Sequence, residues 1–259
     1  MILSCNIPDV VPYINWAYFF FAWQVKNPAE QQRIRREAEA FLKKEAVHYK
    51  VHAVFRIVDA HADGDDIVLD EDGVALPMLR QQWGSPCLCL SDFIHPQHDK
   101  IGLFATSADA GLETDFASDP YAKMMAQLLA DRLAEAMAEW MHQQVRTIYW
   151  GYAPDEQLSI EELHQEHFQG IRPAVGYPSL PDTSLNFLLD ELLDMKQIGI
   201  RLTESGAMRP HASVSGLMIA HPCSHYFSVG KIGADQLNDY ARRRNIPMEM
   251  ARKFLAANL

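Results

Sequence analysis

The residues Gly170-Ile171-Arg172-Pro173-Ala174-Val175-Gly176-Tyr177-Pro178 bring together types that bind small molecules. The prolines fix φ near about −65° and carry no amide donor, while glycine lets a ligand or another strand approach the main chain closely. Arg172 offers a planar fork that suits a carboxylate, and Tyr177 a flat face for a purine or a cation. Two readings stand side by side: a binding loop, or a rigid connector whose arginine pairs with a local acid. Other groupings carry less chemistry. His164 and His167 lie one helical turn apart, and His95-Pro96-Gln97-His98 holds a second pair. Neither has a carboxylate or third histidine at metal spacing, so no metal site is expected. Cys87 and Cys89 lack a second cysteine pair to complete a zinc site. Cys223-Ser224-His225 sets a nucleophile beside a base, but neighbours on a strand face opposite sides, so Cys223 is expected to be a small strand or core residue.

Such side chains need a scaffold. The chain has 259 residues, 48% of them hydrophobic, and 34 acidic against 23 basic residues give a formal net charge of −11. This predicts one soluble domain spanning 1–259, large enough to hold a core without disulfides. The acidic balance and the lack of a dense basic block argue against nucleic acid as a partner. The uncharged run Val10–Val25 holds Pro12, Asn15 and Gln24 and is too short to cross a bilayer, so no membrane association is expected. With four cysteines read as reduced thiols and no signal peptide, the expected location is the cytoplasm.

The aromatic-rich opening segment (Tyr13, Trp16, Tyr18 to Phe21, Trp23) reads as core or pocket wall, followed by a charged helix over 29–45. Alternation over 51–58, the Gly64-Asp65-Asp66 turn and Ile67–Leu69 predict a hairpin, and 101–105 a further strand. A long helix is predicted over 121–145, with Met125, Leu128, Leu129, Leu133 and Met137 on one face and Lys123, Asp131, Glu135 and Glu139 towards the other. Ser159 to Glu162 forms a capping box for a short helix ending near Gly170, and Asp182 or Thr183 caps another that runs to Ile198 and stops at Gly199. Strands at 213–220 and 226–230 and helices at 234–243 and 247–255 complete the reading. The mixture predicts an α+β fold with mainly antiparallel pairing; a doubly wound parallel sheet is the weaker alternative, since no glycine-rich nucleotide fingerprint is present.

Many ordered motifs together resemble the activation domain of cobalamin-dependent methionine synthase. They include Tyr13-Ile14-Asn15-Trp16, Gly64 to Ile67, Leu79-Arg80-Gln81-Gln82, Ala130 to Ala136, Tyr149 to Pro154, Gly170 to Pro178, Leu202-Thr203-Glu204-Ser205, Ala212 to Gly216, His221-Pro222, Asp239 to Arg243 and Leu255 to Leu259. The resemblance implies a C-shaped domain with a bent antiparallel sheet flanked by helices. It implies binding of S-adenosylmethionine in a shallow groove, and repair as the task. When the cobalamin of the synthase is oxidised to cob(II)alamin, a flavodoxin-type donor supplies an electron and S-adenosylmethionine the methyl group. Carried over position by position, it assigns ligand contacts to Asn15, Glu135, Arg172, Ala174, Gly176, Tyr177, Tyr226 and Phe227, and places Asp131 towards the cobalamin-binding partner.

Two departures matter. Asn15 stands where the family usually has aspartate, so a hydrogen bond to the ligand ammonium loses its charge assistance, predicting weak to moderate affinity. Phe227 follows Tyr226 where two tyrosines often stand. Modules for homocysteine, folate and cobalamin are absent from these 259 residues. The expectation is a free-standing activator working in trans on the cobalamin-carrying portion of a split methionine synthase, with no catalysis in isolation. The alternatives are an activator of another corrinoid methyltransferase and a regulatory domain that has lost the ligand. Arg242-Arg243-Arg244 is read as a favourable charge placement at a helix end, or as a dock for the flavodoxin.

Overall fold

The computed structural model describes residues 1–71 and 73–259. Strand β1 (Ile2–Asn6) leads into helices α1 (Ile7–Val10), α2 (Trp16–Ala22) and α3 (Pro28–Glu45). Then follow β2 (Lys50–Asp63), β3 (Asp66–Leu69), β4 (Ala75–Pro77) and β5 (Asp99–Ala108). After the single turn α4 (Gly111–Thr114) comes the long α5 (Pro120–Gln144), whose end widens into a π-turn at Val145–Tyr149. The remainder holds α6 (Ile160–His164), α7 (Leu185–Leu193), a small hairpin of β6 (Arg201–Leu202) and β7 (Met208–Arg209), β8 (Ser213–Met218), α8 (Ala234–Arg243) and α9 (Met248–Phe254).

The main sheet runs β4-β3-β2-β5-β8, with β1 on the same edge of β2 as β3 but at the opposite end. Every pairing is antiparallel, and the sheet curls into a half-barrel, which makes the fold α+β. Its strands are covered on both faces. Val51, Ala53, Phe55, Phe104, Val214 and Met218 pack with α3 and α5. Val58, Ile101, Leu103, Leu217 and Ile219 pack on the other side with Leu185, Leu189 and Leu193 of α7. Hence β5 is buried continuously from Ile101 to Ala108 and reads as an apolar run rather than as an alternation.

Capping explains where the two long helices start. Asn27 Oδ1 accepts from the amides of Ala29 and Glu30, and Asp119 Oδ1 from those of Tyr121 and Ala122, each before a proline that opens the helix with no donor to lose. In α5 an apolar face including Met125, Leu129, Leu133 and Met137 is buried as its spacing predicts.

The structure corrects several expectations. The capping box is present, with Glu162 accepting from the Ser159 amide at 2.8 Å, but α6 stops at His164 because Glu166 turns left-handed at φ 59°. The helix predicted to reach Ile198 breaks at Asp194 (φ 48°), where the Asp190 carboxylate accepts from the Met195 amide at 2.9 Å; a short 3-10 turn then runs to Gly199. Residues 226–230 form no strand, because their hydrogen bonds go singly to the 172–179 loop instead of to a ladder. Cys223 lies exposed in a turn, neither core nor strand. Glu139 is not on a solvated face: it is 7% exposed. Of the arginine triplet only Arg242 is exposed, and its guanidinium pairs with Asp239 at 2.6 Å. Arg243 pairs with Asp66 and Asp239, and the Arg244 guanidinium donates to Ser184 Oγ at 2.9 Å beside Asp182, so the triplet is not a docking patch. No helix among the described residues is long and apolar enough to cross a membrane.

Candidate functional site

The loop after Gly170 is fixed along both edges by main chain. On one side Ile171 exchanges two 2.9 Å hydrogen bonds with Ile219, the Val175 amide donates to Ser215 O at 2.9 Å, and the Leu217 amide to Pro173 O at 3.0 Å. On the other, the Arg172 amide donates to Tyr226 Oη at 3.0 Å, the Val229 amide to Pro178 O at 2.9 Å, and the Phe227 amide to Ser179 Oγ at 3.1 Å. The approach to β8 depends on Gly216, since a Cβ there would run into the Pro173 carbonyl oxygen and lie 2.9 Å from Ala174 Cα. Gly176, at φ 89°, closes a tight turn in which its amide donates to Leu180 O.

This loop, α5, the segment around α2 and residues 226–228 enclose a groove of about 700 Å³. That volume suits a ligand of nucleoside plus amino-acid size, since small-molecule sites commonly measure about 300–1,000 Å³. Asn15, Glu135, Arg172, Ala174, Tyr177, Tyr226 and Phe227 all line it. Gly176 shapes the turn without lining the groove, and Asp131 lies on α5 outside it. Asn15 has a local task as well: its Oδ1 accepts from the Ala17 amide at 3.1 Å and caps α2. Tyr177 Oη donates to Glu135 Oε1 at 3.1 Å, joining two walls.

Sequence reasoning named Glu135 and set Glu139 on a solvated face, but overlooked His142 and Arg146, which continue the same stripe. Glu135, Glu139, His142 and Arg146 recur at helical spacing and form one polar stripe beneath an otherwise apolar helix. Glu139 binds the Arg172 guanidinium, with Nη2 to Oε2 at 2.8 Å and Nη1 to Oε1 at 3.4 Å. Arg172 thus pairs with a local acid, as one of its two readings expects, and it also lines the groove. His142 Nδ1 accepts from Arg172 Nη1 at 3.2 Å, which leaves Nε2–H to donate to Tyr152 Oη at 3.3 Å. Arg146, fully buried, pairs with Glu156 at 2.7 Å and stacks over Phe168 at 4.1 Å. Tyr13, Tyr18, Arg132, His164 and Glu166 also line the groove; the sequence marks Tyr13 and Tyr18 only by aromatic density, Tyr13 and Arg132 only as parts of longer motifs, and His164 only as half of a histidine pair.

The electrostatics follow from burial and neighbours. Burial, then the Arg146 and Arg172 charges, hold the His142 pKa well below its ordinary 6.5, so the ring is neutral. Burial alone would lower the Arg172 pKa, but the Glu139 carboxylate outweighs it and keeps the guanidinium firmly charged. The Glu135 charge, then burial, pushes the Tyr177 phenol up to about 12, and burial raises Tyr226. Burial also raises the Glu166 carboxyl, with Glu139 adding to the effect, and raises Asp131. Three acidic side chains (Glu135, Glu139, Glu166) and two guanidiniums (Arg132, Arg172) line the groove, an acidic excess that favours a ligand with positive character.

The family described as the activation domain of vitamin B12 dependent methionine synthase matches residues 6–245. A solved structure described as the MetH reactivation domain bound to AdoHcy is 38% identical in sequence, with a TM-score of 0.94 over 100% of this chain and 90% of that one. The match runs through α5, the Gly170–Pro178 loop and β8, the elements that build the groove. This chain belongs to the family of vitamin B12-dependent methionine synthase activation domains.

Proposed function

We propose that the groove binds S-adenosylmethionine and presents its methyl group to a cobalamin carried by a partner, supporting reductive remethylation of cob(II)alamin. The observation that carries this reading is the groove itself, on a chain 38% identical to a reactivation domain solved with AdoHcy. Its residues fit the ligand: Arg172 faces the carboxylate, Asn15 the ammonium, and Glu135 with the Tyr177 ring the adenosine and sulfonium region. Loss of the methyl group converts a sulfonium into a neutral thioether, so the excess of carboxylates favours the charged donor over the spent product.

Cobalamin, when held by its partner, supplies the nucleophile that this chain lacks. Tyr18 and Tyr177 stand 61% and 54% exposed at the groove and offer apolar surface to a docking module, and Asp131 on α5 is taken to face the same partner. In this reading the module is a separate chain, reduced by a flavodoxin-type donor. Co-purification with a cobalamin-carrying protein tests the trans arrangement, and its absence from such eluates counts against it. For the ligand site, isothermal titration with S-adenosylmethionine should show binding in the wild type and at least about a tenfold loss in Arg172→Ala, the scale of one charge-assisted contact. A wild type that binds no ligand would sink the reading.

A further inference from the structure

The neighbours of Arg172 decide what it has left to offer. A guanidinium carries five N–H donors in a rigid fork. Two of them, one on Nη1 and one on Nη2, go to Glu139, and the second on Nη1 goes to His142 Nδ1. What remains is Nε–H and the second N–H of Nη2, a parallel pair along the side of the fork that matches the spacing of a carboxylate. Arg172 Nε has no partner within the protein, and it is not sealed from solvent: among the described residues, the buried side-chain atoms without a partner are Arg146 Nη1 and Arg244 Nε.

The holders are themselves held. Glu139 and His142 sit three residues apart on α5, the longest helix. The His142 ring is pinned by Tyr152 Oη on its other nitrogen and packs edge-on against Phe168 at 5.1 Å. The Phe168 ring also lies 6.0 Å from the Arg172 guanidinium carbon. We propose that Glu139 and His142 are positioning residues that grip Arg172 end-on, so that its side edge alone is offered to the carboxylate of the ligand's amino-acid portion. The inference rests on the S-adenosylmethionine reading of the groove. It makes the arginine a pre-aimed reader of that carboxylate, with Glu139 cancelling its charge and leaving Glu135 and Glu166 to act on the rest of the ligand.

A pair of ligands separates this role from general support of the fold. AdoHcy and 5′-methylthioadenosine share an adenosine thioether, but only the first has an amino-acid portion. Calorimetric titration of both into wild type, Glu139→Gln and His142→Phe should show the first variant losing about tenfold for AdoHcy while 5′-methylthioadenosine changes by less than about twofold. His142→Phe keeps the ring volume and should shift the same ratio in the same direction by less, so it carries the test if Glu139→Gln does not fold. Glu139→Asp, with a shorter reach to the same partner, should restore part of the ratio. Equal losses for the two ligands, or no loss for either, overturn the positioning role while leaving the functional reading intact. A wild type that prefers AdoHcy no more than 5′-methylthioadenosine also overturns it, and one that binds neither removes the functional reading itself.

Discussion

Asn15 illustrates how a single side chain serves fold and site together. Its Oδ1 caps α2, a task aspartate performs equally well, and the same uncharged oxygen is the only acceptor the side chain has for a ligand ammonium in the groove it lines. Asn15→Asp should therefore keep the melting temperature and tighten S-adenosylmethionine about three- to tenfold, reflecting the stronger bond from an ammonium to a carboxylate. Unchanged affinity in calorimetry would show that the ammonium lies elsewhere. His142 gives a prediction in pH. Because its folded pKa lies well below 6.5, the unfolded chain takes up a proton first on acidification, and stability is lost as pH falls below 6.5. The slope is about 1.4 kcal/mol per pH unit for one group. The raised carboxyls of Asp131 and Glu166 act in the opposite sense, so the difference between wild-type and His142→Phe denaturation curves, not the wild-type curve alone, isolates the histidine. Parallel curves from pH 7 to 5 would contradict it.

At the scale of elements, the contact between β8 and the Gly170–Pro178 loop is the most sensitive to side-chain size. Gly216→Ala sets a methyl group against the Pro173 carbonyl and Phe104, so the loop must move off the strand. A cost of about 1–3 kcal/mol follows from such overpacking, with loss of ligand binding exceeding loss of stability because the loop carries Arg172 and Tyr177. Chemical denaturation and titration of the same variant check both halves; full affinity in a destabilised variant would refute the coupling. The longer helices were legible because their apolar spacing is local, Ser159 announced α6, and α8 begins and ends as its pattern predicts. The breaks were not, because a left-handed Asp194 or Glu166 depends on side-chain and tertiary contacts that no propensity encodes. β1, β4, β6 and β7 escaped notice since strands of two to five residues are made by their partners. For the site, Arg172, Tyr177 and Tyr226 were visible through a local motif or a family resemblance, and all three line the groove. Glu139 and His142 were misplaced or overlooked because a polar stripe buried under a loop has the same spacing as one facing water.

The whole molecule is arranged so that distant parts brace the groove. A third apolar cluster joins Leu79, Val229 and Ile232 to Leu237, Tyr240 and Leu255 of the carboxy-terminal helices. Polar contacts lock it to the sheet: Tyr240 Oη donates to Asp182 at 2.7 Å, the Gln236 side-chain amide accepts from the Arg80 amide and donates to the Arg80 carbonyl, and Arg243 reaches Asp66. Those helices hold residues 226–232, which hold one edge of the binding loop while β8 holds the other. A loop bonded along both edges is ordered before any ligand arrives, and that has a calorimetric signature. The heat-capacity change on binding then reflects only the apolar groove surface removed from water, with no increment from chain folding, and stays nearly constant over temperatures at which the free protein remains native. The amides of Val175, Leu217 and Val229 should accordingly exchange with deuterium at rates set by global unfolding in the free protein, and fast local exchange without ligand would contradict an ordered loop.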